Sequence, residues 1–181
     1  VSAATARVRL LVVQSDPTDP PARLGEWWQE TGVELVEIRA DAGEPVPSEL
    51  PDDVDGLVVL GGAMAAWEDD VAPWLPATRA LLVDGVHSGR PVLGVCLGGQ
   101  LMSLALGGAV ERTLTPEVGV SELTLLPEAK DDRLFSVLPP NPPVAQYHGD
   151  SITALPAGAV LLASTPDCAH QAYRLGERAW A

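Results

Sequence analysis

Val92-Leu93-Gly94-Val95-Cys96-Leu97-Gly98-Gly99-Gln100 is the stretch that decides the fold. The apolar run Val92 to Val95 reads as a buried strand, and Leu97 to Leu106 reads as an apolar helix stopped by Gly107-Gly108. A strand that ends in Gly-x-Cys-x-Gly and passes directly into a helix has the form of a nucleophile elbow, a tight turn that pushes one side chain out above a sheet. A side chain at Gly94 or Gly98 would collide with the backbone that such a turn brings together. The unpaired N–H groups and macrodipole of the helix terminus favour the thiolate, the reactive form of Cys96. A lone cysteine on an apolar strand also fits a buried structural role. We read Cys96 as the nucleophile, because the flanking glycines have no use around an inert thiol.

Outward from this turn the chain alternates strands and helices. Arg7 to Val13 is a strand that leaves into a Pro-rich loop, and Leu24, Trp27 and Trp28 recur at helical spacing. Val33 to Ile38 is a second strand, Asp41 to Asp55 a loop, Gly56 to Leu60 a third strand, and Ala77 to His87 a helix. This order predicts an α/β fold with a mostly parallel sheet and helices on both faces. Ligands of such sheets bind at the carboxyl ends of the strands, so the loops after Val13, Leu60 and Val95 share one rim. After Gly108 the pattern changes to strand-like runs, Val120 to Leu126, Val144 to Tyr147, Val160 to Ser164 and Gln171 to Leu175, with a weak helical turn at Asp132 to Val137.

Composition narrows the function. The 181 residues are 46% hydrophobic, enough for one core, and are read as one domain without internal repeats. A formal net charge of -14 with 11 basic residues argues against a nucleic-acid partner, whose phosphates need clustered Lys and Arg. The longest apolar stretch near the start, Leu10 to Val13, is too short for a membrane span or a signal peptide, so a cytoplasmic protein with no membrane partner is expected. Cys96 and Cys168 form neither a disulfide framework nor a zinc-ligand cluster, and no metal or cofactor is expected. Cys168 reads as a buried structural thiol in a hairpin tip with His170, and His87 as structural. Glu68-Asp69-Asp70 beside Trp67 and Trp74 reads as a solvated loop over the rim.

The run from Gly94 to Gln100 resembles the nucleophile motif of class I glutamine amidotransferases. Leu60-Gly61-Gly62-Ala63-Met64 is similar to the glycine-rich oxyanion strand of that family, with Ala63 in place of a frequent proline. Pro116-Glu117-Val118-Gly119 and Tyr147-His148-Gly149-Asp150 are similar to two further blocks of the branch related to the glutaminase half of GMP synthase. The resemblance runs from Arg7 to Trp180. It implies a flavodoxin-like fold and a glutaminase that releases ammonia from glutamine through a cysteine thioester, with a synthetase or other acceptor-activating protein as partner. Leu97 supplies one oxyanion N–H by its place after the nucleophile, and Gly62 the second; taken alone, Gly61-Gly62 also fits a plain strand-ending turn. By the resemblance Gln100 holds the substrate glutamine, and Tyr147 and His148 belong to the wall of its pocket. On spacing alone Gln100 is equally a surface amide, and His148 a turn histidine satisfied by Asp150.

The mechanism also needs an imidazole to protonate the leaving ammonia and an acid to orient it. In the family both come from a His-Pro-Glu block just after a strand matching Arg178-Ala179-Trp180-Ala181, and no numbered residue matches either. Two readings compete: a single domain, residues 1–181, that is incomplete at its C-terminus, or a domain that lost its base and became a non-catalytic binding or regulatory subunit. The first is preferred, because the elbow is unbroken. A γ-glutamyl peptide hydrolase is a further alternative.

Overall fold

The computed structural model describes residues 7–181. Ten strands occur among them: β1 (Arg9–Gln14), β2 (Glu34–Arg39), β3 (Gly56–Val59), β4 (Val92–Gly94), β5 (Ala109–Glu122), β6 (Thr124–Leu125), β7 (Pro143–Ala154), β8 (Ala159–Ser164), β9 (Ala172–Leu175) and β10 (Ala179–Trp180). The helices are α1 (Ala22–Glu30), α2 (Leu75–His87) and α3 (Leu97–Ala105), and short 3-10 turns lie at Ala40–Ala42, Pro127–Asp131 and Phe135–Val137.

Eight strands form one sheet in the order β2-β1-β3-β4-β10-β9-β8-β6. The first five run parallel, and β9, β8 and β6 continue the sheet antiparallel. Parallel strands covered on both faces read as continuous apolar runs, which is why β1, β3 and β4 were visible in the sequence. Leu11, Val13, Leu57 and Val59 point into the larger core with Leu81 and Leu82 of α2 and Leu97, Leu101 and Met102 of α3. Val12, Val58 and Leu60 point the other way, against Trp28 of α1. Helices therefore cover both faces. On α1 the buried Gly25 packs near Pro21 and Leu35, where an added Cβ would not fit, whereas Trp27 is turned outward beneath the Arg23 guanidinium. Among the described residues no helix is long and apolar enough to cross a membrane.

The second half departs from the sequence reading in the extent of its strands: β5 starts at Ala109 rather than Val120, and β7 runs on from Tyr147 to Ala154. The strand expected at Val120 to Leu126 is split at Leu123. Its first part ends the long strand β5, and its second part is β6, at the edge of the main sheet. β5 pairs with β7 in a separate antiparallel ribbon, with a register shift between Arg112 and Glu117. Pro116 falls within that shift, where its missing N–H removes no ladder bond. The ribbon is tied to α3 through Ser103 Oγ, which donates to the Ala154 carbonyl, and β9 is tied to α3 through the buried Tyr173 hydroxyl, which donates to the Gly99 carbonyl.

Candidate active site

Cys96 stands at the carboxyl end of β4, in the middle of the sheet, as the residue before α3. Its φ of 51° and ψ of -110° lie in a region that residues with a side chain rarely adopt. Such strain persists only where the surroundings enforce it. Here they do, because Gly98 is packed against the Val59 carbonyl of β3 and Gly94 against the Gly98–Gly99 peptide. A Cβ on Gly98 would fall 2.1 Å from the Val59 oxygen, and one on Gly94 2.6 Å from the Gly98 carbonyl carbon.

The loops after β1, β3 and β4 meet at one cavity of about 820 Å³, lined by Asp19, Gly61, Cys96, Gln100, Tyr147, His148 and others. Gly61 and Gly62 lie beside the elbow: a Cβ on Gly61 would be 3.7 Å from that of Cys96, and one on Gly62 2.9 Å from Leu97 Cδ2. The two segments expected to supply oxyanion donors are thus neighbours on one rim. Asp16, just past β1, ties the glycine segment to the loop after β1. Its carboxylate accepts from the Thr18 N–H at 2.8 Å, the Thr18 hydroxyl at 2.7 Å and the Ala63 N–H at 3.1 Å. The bonds from Thr18 hold this carboxyl below its ordinary range, with Ala63 adding to them against the opposing effect of burial. Asp16 was not singled out in the sequence, where an acid after a strand reads as a loop residue.

Cys96 is exposed where it lines the cavity, and the rest of it lies beside Gly61 and the Tyr147 carbonyl. Burial accordingly pushes the thiol above its ordinary 9.0, the Leu97 N–H pulls it down, and Asp19 and Asp150 push it further up. The helix terminus acts in the direction read from the sequence, but desolvation outweighs it. The sulfur lies 3.9 Å from the Tyr147 carbonyl, to which the neutral thiol donates. Asp19 is itself pushed up, first by burial and then by Asp16.

The remaining expected residues converge on the same wall. Gln100 is buried, lines the cavity, and donates from Nε2 to the Asp150 carbonyl at 3.0 Å, so it is not a surface amide. Tyr147 is 83% exposed, and its contribution at the sulfur is its backbone oxygen. His148 is satisfied by Asp150, as its sequence alternative had it, but through the backbone carbonyl of Asp150 at 3.1 Å from Nδ1. Its Nε2 lies 3.1 Å from Glu117 Oε2, a partner the sequence did not disclose. Cys168 is buried and His170 half-buried; both line the cavity from the β8–β9 connection. Glu117, His148 and Cys168 bring their ligand atoms within 4.8 Å of one another, but the carboxylate and the imidazole are already engaged in hydrogen bonds. Glu68-Asp69-Asp70 is less free than a solvated loop, because Asp69 pairs with Arg79 at 2.7 Å and Glu68 accepts from the Ala65 N–H.

Comparison with known proteins agrees with this arrangement. A family model described as glutamine amidotransferase class-I matches residues 28–180. The GMP synthase (glutamine-hydrolyzing) of Mycobacterium marinum is 39% identical over 122 residues, 67% of this chain and 21% of that protein. That of Geobacillus kaustophilus is 34% identical over 125 residues, 69% of this chain and 22% of that protein. The chain spans about a fifth of the length of these curated relatives. A solved glutamine amidotransferase from Thermotoga maritima superposes with a TM-score of 0.87 at 25% identity, covering 96% of this chain and 74% of that one. One from Methylobacillus flagellatus gives 0.82 at 28% identity, with 98% and 69% covered. A match of this extent, running through the strand, the strained cysteine and the helix that frame the cavity, makes the chain a member of the class I glutamine amidotransferase family.

Proposed function

We propose that this domain releases ammonia from glutamine, with Cys96 as the nucleophile and residues 1–181 as the larger part of one catalytic domain. The observation that carries the proposal is the strained Cys96 at the strand-to-helix turn, facing a cavity whose rim also holds Gly61-Gly62. In this reading the Cys96 sulfur attacks the side-chain carbonyl carbon of glutamine. The N–H groups of Leu97 and Gly62 stabilise the oxyanion, and the amide nitrogen leaves as ammonia once it has gained a proton. Water then cleaves the thioester to give glutamate and restore the thiol. Gln100 and the backbone at Tyr147 and His148 hold the substrate.

The proton for the leaving nitrogen does not come from His148, whose ring nitrogens are both engaged. We assign it to the histidine of a His-Pro-Glu block following residue 181. Ala181 supports this, because it lines the Cys96 cavity and lies against Gly99, where a Cβ would fall 2.8 Å from that of Ala181. That the relatives are glutamine-hydrolyzing GMP synthases supports a synthetase, or another protein that activates an acceptor, as the consumer of the ammonia. Two free thiols support a cytoplasmic setting.

The test is ammonia production from glutamine by residues 1–181 and by a chain extended through the His-Pro-Glu block, with labelling of Cys96 by a glutamine-like electrophile. General acid–base catalysis contributes about a hundred- to ten-thousand-fold, so the extended chain should exceed the short one by that order. Cys96→Ala should abolish release. Equal activity at both lengths would overturn the assignment of the base, and the absence of labelling in both would favour a binding subunit.

A further inference from the structure

The geometry points to Glu117 as a positioning residue that sets the segment from Tyr147 to Asp150 against Cys96; this inference rests on the glutaminase reading above. Glu117 is 7% exposed and lies opposite His148 in the β5–β7 ribbon. A buried carboxylate is costly unless its oxygens are met, and here both are. Oε1 accepts from the Thr165 hydroxyl at 2.6 Å, and Oε2 accepts a short bond from Gln171 Nε2 and lies 3.1 Å from His148 Nε2. Thr165 in turn accepts from the Cys168 N–H and from Gln171, which closes the network onto the β8–β9 connection.

His148 transmits this anchorage. Its Nδ1 faces the Asp150 carbonyl, which can only accept, so Nδ1 carries a proton. Nε2 lies 3.1 Å from Glu117 Oε2 and 3.3 Å from Gln171 Nε2. The imidazole is held at both ends and has no nitrogen left to take a proton from Cys96. What it does instead is fix the backbone on either side. The Tyr147 carbonyl, one residue earlier, meets the Cys96 sulfur, and the Asp150 carbonyl, two residues later, receives Gln100 Nε2. Remove Glu117, and the residues that place these carbonyls beside the sulfur and on Gln100 lose their common anchor, while the elbow itself, built from β3, β4 and α3, is untouched.

The test uses the full-length protein and two variants, Glu117→Ala and the conservative Glu117→Gln. Hydrogen bonds to charged groups contribute enough that losing substrate positioning should raise KM for glutamine about ten- to a hundred-fold in Glu117→Ala, with kcat changed by no more than about threefold. Glu117→Gln, which keeps an acceptor for Thr165 and can still pair with the neutral imidazole, should recover part of the KM. A merely structural glutamate behaves differently: loss of folded protein lowers the titre of active sites and leaves KM alone. If Glu117→Ala does not fold, the same KM measurement on Glu117→Gln decides. Alkylation of Cys96 by iodoacetamide in the folded variants needs no glutamine chemistry, and should be faster once the Tyr147 carbonyl no longer covers the sulfur. Wild-type KM together with wild-type alkylation in the variants overturns the inference. A wild-type protein that releases no ammonia overturns the glutaminase reading instead, and alkylation then remains the measure of Glu117.

Discussion

Gly98→Ala tests whether the strained turn at Cys96 is held by contact with β3. The added Cβ would lie 2.1 Å from the Val59 oxygen and 2.8 Å from its carbonyl carbon, both backbone atoms of a central strand. To reach even 3.0 Å, below which real Cβ contacts essentially do not occur, the turn must withdraw from β3. The same Val59 carbonyl accepts the Val95 N–H at 2.9 Å, so withdrawal stretches the bond that joins β3 to the start of the turn. Overpacking costs about 1–3 kcal/mol and a lost buried hydrogen bond about 1 kcal/mol more, giving about 3 kcal/mol. For a domain of this size that is a fall in Tm of about 6–12 °C. Thermal unfolding measures it, and alkylation of Cys96 reports whether the thiol still faces the cavity. Gly149→Ala is the control: a Cβ there meets nothing within 4 Å, and its Tm should stay within about 2 °C of wild type. A Gly98→Ala protein with wild-type Tm and wild-type alkylation would refute the claim that packing on β3 enforces the turn.

Further outcomes follow from strain and charge. Cys96→Gly should be more stable than Cys96→Ala by about 1–2 kcal/mol in chemical denaturation, since both lose the sulfur and only glycine relieves the positive φ. Asp19→Asn should move the alkylation profile of Cys96 to lower pH without restoring the ordinary value, because burial, the larger influence, remains; an unchanged profile would remove Asp19 from the electrostatics of the site. Asp132→Ala should lose about 3–5 kcal/mol at neutral pH, since it strands Arg174 and the Trp180 indole N–H. Burial alone would raise the Asp132 pKa, but the N–H groups of Leu134 and Phe135 with Trp180 and Arg174 hold it below 3.8. A depressed folded pKa gives stability that is complete above the unfolded value and is lost as pH falls through the folded one. Urea titrations should therefore show the gap between Asp132→Ala and wild type closing at strongly acidic pH and constant above about pH 5.

The parts legible in the sequence were those whose cause is local. Val92 to Gln100 disclosed a strand, a turn and a helix because the steric demand of an elbow falls on residues within a few positions of Cys96, and because a strand buried on both faces must be apolar throughout. β5 was hidden, since Glu111, Arg112, Thr113 and Pro116 break any apolar alternation and the ribbon exposes much of its surface. Charged partners were hidden for another reason. Glu117 meets Thr165 and Gln171 from 48 and 54 positions away, and Asp132 meets Trp180 across 48. No periodicity encodes such pairs. By itself the sequence determined the parallel α/β frame and the exposed cysteine at its centre, which follow from backbone sterics and apolar spacing over short range, while the family came from the resemblance of its motifs. Only the tertiary structure decided that Asp16 bonds the glycine loop, that Glu117 meets His148 and Gln100 the Asp150 carbonyl beside the sulfur, and that burial lifts the Cys96 pKa. Each of these depends on which distant groups share one low-dielectric space, and a chain acquires that only on folding.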